Sequence, residues 1–387
     1  MKYLLIALLF ANTAYTQPCK SNDDLLSIPG SLKDHTKTPI GGGSFSASEK
    51  PVAMKTLIAA ENLCKKNFSL KGGEASAWFS VNEPGYYDVY KQSSYGLKIG
   101  FYQHVCVNGK RTNSSEHAVD FSITANPNLS SKYFLASDPG TDEFYVNRAK
   151  SGYLTIPVFR YLSMPASHGE AISSGKGFFD DTKGNDYYKH TDVYRNWFIT
   201  RPGTQVLLTV SRKEFLESLL EYYDREKLFF SKRLQIKIND AVKYMAEYQK
   251  SGNKAMYQSH QENKQQAEKE LAELAGIIQG KKQLAGDLLK KEADWLQQPA
   301  TLDPAKPMRF DNRYPKQSMV FAGFYAGPAA KTIYRLNPAL AAELKTQAAK
   351  PLFFQVQYRY KAEEQFSKGI TEGFVKGFDF GALGNLL

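Results

Sequence analysis

The sequence predicts an α+β protein: a mixed or antiparallel sheet domain with an inserted long antiparallel helical hairpin of the coiled-coil type. Two observations support this fold class. Strand-like alternation of apolar and polar residues occurs both before residue 210 and after residue 350. Between these regions, 211–298 contains no proline and follows a heptad rhythm. We therefore expect one sheet domain built from 49–210 and 299–387, with the helical hairpin inserted at 211–298.

Composition and charge exclude several classes of protein. The chain has 387 residues, of which 42% are hydrophobic and 23% charged, so collagen-like, disulfide-dense and wholly disordered proteins are excluded. The 50 Lys and Arg residues outnumber the 39 Asp and Glu residues and give a net charge of +11. These basic residues are spread along the chain without forming a block. We therefore expect no nucleic-acid partner.

The N-terminus predicts export. Residues 1–16 combine Lys2, a short apolar run and a small-residue exit, the pattern of a cleaved signal peptide. The apolar run 4–11 is far shorter than the roughly 20 residues that cross a bilayer. We expect a secreted or periplasmic protein with no transmembrane segment after signal removal. The following segment, 17–48, is rich in proline and glycine and predicts an irregular linker or wrap.

The first part of the sheet domain, 49–210, begins with a helix near Ser48. Its apolar positions have helical spacing: Ala53, Leu57, Ala60 and Cys64. Strand signals follow at 97–107 and 119–123, and the turn-rich segment 108–115 between them predicts a hairpin.

The hairpin insertion has local signals at the start of its first helix and at the reversal between its two helices. Ser211 with Glu214 matches a capping box, and Val210 with Phe215 matches a hydrophobic staple. The sequence 251–253, Ser-Gly-Asn, marks the point where the chain reverses. The alternative is one continuous helix that dimerises. Polar residues interrupt the heptad positions twice, at Lys281 and Glu292.

The return segment 299–387 predicts a short helix and a strand. Asn337 and Pro338 match a helix cap and first turn, and 354–360 alternates as a half-buried strand. We expect this strand to complete the sheet; the alternative is that 299–387 folds alone. The Gly- and Phe-rich tail suggests either a docking surface or aromatic side chains that pack on the protein's own core.

Candidate site residues lie in 163–197, which the sequence predicts to be a long loop. They are His168, Glu170, Asp180, Asp181, His190, Asp192 and Trp197. A loop of this length is either an ordinary solvated surface loop or a functional one. A functional loop would bind a small ligand or cation, or would supply two carboxylates for glycoside hydrolysis. Nucleophile-elbow, zinc-protease, phosphate-loop and dinucleotide motifs are absent from the sequence. We predict no metal and no cofactor.

Three cysteines allow at most one intramolecular disulfide. We predict a bond between Cys64 and Cys106, because both belong to the same part of the sheet domain. The alternative is that the cysteines are buried free thiols.

The segments 197–203, 210–217 and 222–227, which read WFITRPG, VSRKEFLE and YYDREK, resemble those of uncharacterised secreted bacterial proteins. The resemblance implies a secreted address and a strand that runs into a long helix. It implies no activity, ligand or catalytic residue.

From these observations we expect an exported, non-enzymatic protein with an interaction or spacer role at the cell envelope, where an envelope protein or polysaccharide would be its partner. Two alternatives stay open. One is a secreted hydrolase acting on glycans or peptidoglycan through carboxylates in 163–197. The other is a binding module for a small ligand or cation. The oligomeric state is not predictable from these patterns.

Overall fold

The computed structural model describes residues 18–33, 45–66, 69–82, 93–135, 154–185 and 190–387. The predicted signal peptide, 1–16, lies outside the described residues. None of the described helices is long and apolar enough to span a bilayer.

Nine α-helices are numbered here in chain order among the described residues. They are α1 Glu49–Lys66, α2 Ser130–Tyr133, α3 Ala166–Ser174, α4 Arg212–Ser251, α5 Lys254–Leu288, α6 Ala293–Gln297, α7 Pro338–Thr346, α8 Gln365–Gly377 and α9 Phe380–Gly384. The strands are β1 Ser31–Lys33, β2 Gly73–Asn82, β3 Ser94–Val107, β4 Lys110–Asn113, β5 Val119–Ala125, β6 Leu162–Pro165, β7 Phe178–Asn185, β8 His190–Thr200, β9 Leu207–Thr209, β10 Thr301–Leu302, β11 Lys331–Leu336 and β12 Phe353–Lys361.

The larger sheet has eight strands in the order β1-β2-β3-β5-β12-β8-β7, with β4 paired to β3. The β1–β2 pair is parallel and the other pairs are antiparallel, so the sheet is mixed. The return segment contributes β12 to the middle of this sheet, where Val356 lies between Ile123 and Trp197. The helices α4 and α5 thus interrupt one sheet, and the predicted α+β fold with an inserted hairpin is confirmed.

One face of the larger sheet is covered by α1 and by the C-terminal helices. Strand residues such as Phe121 and Tyr358 pack there against the aromatic side chains of the tail, Phe366, Phe374 and Phe378. The Phe residues of the Gly- and Phe-rich tail therefore belong to the protein's own core. Their burial is the main force that attaches the chain end, because each large aromatic ring removes much apolar area from water.

The smaller sheet has the order β10-β11-β6, with β9 also paired to β11, and joins the hairpin to the body. Ile333 of β11 belongs to the same apolar cluster as Phe215, Tyr222 and Phe229 of α4. The base of the hairpin is thereby packed into the domain over several helical turns.

The hairpin forms through the local signals seen in the sequence. The Ser211 hydroxyl accepts the Glu214 backbone N–H and caps α4. At the other end, Gly252 has a φ of 74°, the left-handed conformation that favours glycine, and Asn253 caps α5 by accepting the Met256 N–H. The helices α4 and α5 then pack against each other, so the predicted helical hairpin is confirmed and the alternative of one continuous helix is not.

The predicted long loop at 163–197 is wrong. This segment contains β6, α3, β7 and most of β8. Gly175, with a φ of 63°, ends α3 as a left-handed cap, and Gly177 turns the chain into β7. β7 is an edge strand and is rich in Asp, Thr and Lys, as edge strands often are. Because β7 is mostly polar, it lacks the alternation of apolar and polar residues by which a strand is predicted from sequence.

The segment 17–48 is irregular only in part. Its described residues include a short 3₁₀ helix, Asp23–Leu25, and β1, which pairs with β2 in parallel. Leu25 is buried, so this segment is a wrap that is fastened to the sheet domain.

The predicted disulfide between Cys64 and Cys106 is wrong. Cys106 bonds to Cys19, and Cys64 is a buried free thiol. Cys64 lies on the face of α1 that packs into the core, whereas Cys106 lies near the end of β3, beside the turn on which the N-terminal segment rests. The Cys19 backbone N–H donates to the Gly109 carbonyl in that turn at 3.2 Å. The partner of Cys106 therefore comes from the wrap, which is distant in sequence.

Candidate functional site

The sequence-predicted site residues do not form one cluster. Trp197 faces the main core, where its ring lies 5.4 Å from that of Tyr358. Glu170 is exposed on α3. His190 and Asp192 form a separate pair on β8, with Nε2 to Oδ1 at 3.4 Å. Only His168 and Asp181 approach each other among the remaining residues, with Nδ1 to Oδ1 at 4.0 Å.

Asp180 and Asp181 do not form a catalytic pair. They are consecutive on β7, so their side chains point to opposite faces of the sheet. Asp180 accepts a bidentate pair of hydrogen bonds from Arg195, both at 2.8 Å. Asp181 is bound by Lys132 and by the Asn196 amide. This arrangement lacks the two carboxylates flanking one bond that glycoside hydrolysis requires.

His168 lies in a partly buried position between an aromatic ring and charged groups. Its imidazole stacks on Phe179, with ring centroids 3.9 Å apart and planes 13° apart. Burial lowers the pKa of His168, the positive charges of Lys132 and Lys331 lower it further, and Asp181 opposes them. The neutral imidazole is thus favoured beside two lysines.

Within the described ranges, no group of three or more His, Cys, Asp or Glu side chains is arranged to hold a metal ion.

A basic cavity of about 190 Å³ lies close to His168 and was not predicted from the sequence. Lys132, Arg309 and Lys331 line it together with Ser163 and Asp303. These residues come from α2, β6, β11 and the chain after β10. No motif connects them, because they come from four separate parts of the chain and only Asp303 and Arg309 share a segment.

The second candidate is the outer end of the hairpin, which we name the arm and define as residues 242–266. The arm consists of the end of α4, the turn and the start of α5, and none of its residues is buried. The last buried residues toward the arm are Ala241 on α4 and Ala267 on α5. The arm therefore projects from the body into solvent by about 15 Å, since each helical residue adds about 1.5 Å.

The arm presents an aromatic stack. The His260 ring lies 5.1 Å from that of Tyr244 and 5.5 Å from that of Tyr248, which links the two helices. A groove of about 320 Å³ opens beside this stack and is lined by Lys237, Glu270 and their neighbours. Aromatic rings next to an open groove are suited to binding a partner.

The interruption of the heptad seam at Lys281 also has a structural explanation. Its ammonium donates to Glu226 of α4 at 2.7 Å and to the Ser318 carbonyl at 2.6 Å. Ser318 Oγ donates to the other oxygen of Glu226 at 2.5 Å. This buried network holds the base of the hairpin in one register.

Another polar cluster, centred on His117, lies on the outer face of the larger sheet. His117 Nε2 lies 2.7 Å from the Tyr102 hydroxyl, and its Nδ1 lies 2.6 Å from Asp120. Arg359 forms an ion pair with Asp120 at 2.6 Å. Gly100 leaves space for the imidazole, since a Cβ there would lie 2.5 Å from Nε2. With both ring nitrogens bound to protein groups, this histidine is held in one orientation.

No family model matches the chain, and comparisons with curated proteins and with solved structures found no match.

Proposed function

We propose that this is an exported, non-enzymatic binding protein of the cell envelope, and that the arm holds a protein partner. The observation that carries the proposal is that a helical segment of the hairpin, 242–266, contains no buried residue. Ordering each residue costs about 1–2 kcal/mol of backbone entropy, which core residues recover by burial. The arm has half-buried side chains such as Tyr248 and His260 but no buried one, so it recovers less of this cost than the core does, and we infer that its order serves a partner.

Local contacts account for the helical state of the arm. Lys264 pairs with Glu268 at 2.7 Å, and Lys243 lies 4.0 Å from Glu247, each one helical turn apart. Such pairs contribute about 0.2–0.5 kcal/mol each. They keep the two helices formed without a core and leave their apolar side chains available to a partner.

The exposed side chains of the arm fit a protein surface. Tyr244 and Met256 are each 39% exposed. Tyrosine and methionine are enriched in protein interfaces because they add large contact areas. The rigid aromatic stack of Tyr244, Tyr248 and His260 would lose little side-chain freedom on binding.

Two features support export. The N-terminal sequence has the pattern of a signal peptide. A disulfide joins Cys19 to Cys106, and such bonds persist in oxidising compartments outside the cytoplasm. The same bond occupies the Cys19 sulfur, which argues against a lipid anchor on that residue.

The proposal is tested by comparing three proteins in cross-linking and co-purification from envelope fractions of the producing organism. The first is the full chain and the second is Tyr244→Ala with Tyr248→Ala. The third, a matched control on the same helix, is Gln235→Ala with Asn239→Ala, a pair of side chains that bond to each other at 3.0 Å. We expect the full chain and the control to retain one partner and the tyrosine variant to lose it.

Equal retention of the partner by all three proteins would contradict the proposal that the arm is the binding site. Retention that survives protease digestion of the envelope fraction would identify a polysaccharide partner and overturn the proposed protein partner. Circular dichroism of the tyrosine variant checks that α4 and α5 remain helical.

A further inference from the structure

A basic cavity lies where the smaller sheet meets the chain that follows β10. Its volume is about 190 Å³. Lys132, Arg309 and Lys331 contribute three positive charges to its walls, against one carboxylate from Asp303. Its size is below that of pockets for drug-sized ligands, which are about 300–1,000 Å³. The cavity therefore suits a small ligand or the end group of a larger one.

The backbone around the cavity is fixed by strand pairing. β11 pairs with β6 in antiparallel register, so that Lys331 lies opposite Pro165 and Ile333 lies opposite Ser163. Lys331 and Ser163 thus share one face of the smaller sheet, two positions apart. On the other side, the Asp303 carboxylate accepts the Ala305 N–H at 2.9 Å, which shapes the turn of the chain there.

The cations of the cavity are not neutralised equally. Lys132 is bound to Asp181. Among the residues that the structure describes, Lys331 and Arg309 have no carboxylate partner. The Lys331 ammonium and the Arg309 guanidinium thus share one small cavity with a single carboxylate, that of Asp303, so its described lining carries a net positive charge.

The neighbouring His168 shows that two of these cations lie close to one another. The charges of Lys132 and Lys331 both lower the pKa of its imidazole, so both ammonium groups are close enough to act on one ring. The Asp181 carboxylate, which binds Lys132, acts on the same ring in the opposite direction, so the ring shows where the two ammonium groups lie and not a net field.

We propose that this cavity binds a small dianionic oxyanion, a phosphate or sulfate group, either as the free ion or as the end group of a larger molecule. Lys331 and Arg309 supply charge-assisted hydrogen bonds, and the guanidinium matches two oxygens of one tetrahedral group. The Ser163 hydroxyl supplies a neutral donor. Asp303 disfavours a second anionic group, which limits the site to one.

The proposal is tested by calorimetric titration and thermal shift with inorganic phosphate, inorganic sulfate and a sugar monophosphate. Sodium chloride and acetate at equal ionic strength are the reference solutes. We expect phosphate or sulfate to raise the melting temperature above the chloride value, because a ligand that binds only the folded state stabilises it. Equal affinity for phosphate and the sugar monophosphate indicates the free ion, and tighter binding of the sugar monophosphate indicates an end group.

The variants Lys331→Gln and Arg309→Gln are each expected to weaken binding by about tenfold or more, because each removes a charge-assisted hydrogen bond. Lys345→Gln is the matched control, since Lys345 is exposed on α7 and its loss changes the net charge equally. Lys331→Arg keeps the charge and should keep binding even if Lys331→Gln folds poorly. No effect of phosphate and sulfate beyond chloride, or an equal loss of binding in Lys345→Gln, would overturn the proposal.

Discussion

Lys281 of α5 donates to Glu226 of α4 at 2.7 Å near the base of the hairpin. The Glu226 side chain is fully buried and that of Lys281 is 8% exposed. Burial acts on both groups, raising the pKa of Glu226 and lowering that of Lys281. The pair remains stable inside the protein because Ser318 also binds both partners.

We predict that Lys281→Met destabilises the protein by about 3–5 kcal/mol, because it leaves the Glu226 carboxylate buried without a counter-charge. Urea unfolding followed by circular dichroism measures the change. The adjacent Lys282→Met is the matched control: Lys282 pairs with Asp224, whose side chain is 65% exposed, so we expect a loss of less than about 1 kcal/mol. Equal losses in the two variants would contradict a specific role for the buried pair.

The double variant Glu226→Leu with Lys281→Met should recover most of the stability lost in Lys281→Met. Removing both charges also removes both desolvation penalties, and an apolar pair can fill the seam. A double variant as unstable as the single one would show that the network contributes through Ser318 instead.

The Cys19–Cys106 disulfide should contribute about 2–4 kcal/mol, because it closes a loop of 87 residues and restricts the unfolded chain. We predict this loss for Cys19→Ser with Cys106→Ser in thermal unfolding under non-reducing conditions. Peptide mapping should find Cys19 linked to Cys106 and Cys64 alkylated only after denaturation, since the Cys64 thiol is buried. A linked peptide that contains Cys64 would refute the pairing.

Substituting alanine for glycine in the hairpin should change the stability in opposite directions at different positions. Gly276 and Gly280 lie inside α5 with open space at the Cβ position, so each change to Ala should stabilise by about 0.5–1 kcal/mol. Gly252 has equal space but a φ of 74°, and Gly252→Ala should destabilise by about 1–2 kcal/mol. Urea unfolding of the three variants tests this. Stabilisation by Gly252→Ala would mean that the turn between α4 and α5 has another conformation.

Stability should fall with acidification just below pH 6.5, the ordinary pKa of histidine. Burial lowers the pKa of His168, so the unfolded chain binds more protons than the folded one in that window. The stabilisation is complete above pH 6.5 and is lost as the pH falls toward the folded pKa. His168→Phe should reduce the slope of stability against pH, measured from urea midpoints, and an equal slope in the variant and the full chain would contradict this role of His168.

The candidate sites were predictable to different degrees. The hairpin that carries the arm follows from Ser211, Gly252 and Asn253, because caps and turns act within a few residues. Which part of the hairpin stays outside the body was not predictable, since Met245 occupies a heptad position yet is not buried. The basic cavity was not predictable either, because its residues lie in different elements and share no motif.

The sequence by itself determined the local structure: the α+β class, the helical hairpin and its reversal, and the strand that contains Val356. Tertiary structure alone decided that Cys106 bonds to Cys19, that β7 lies at a sheet edge and that Lys281 meets Glu226. It also brought Lys331 and Lys132 to one cavity. The physical reason is the range of the interactions. Caps, turns and amphipathic periods act between residues close in the chain, whereas disulfides, buried ion pairs and cavities depend on which distant segments the fold places side by side.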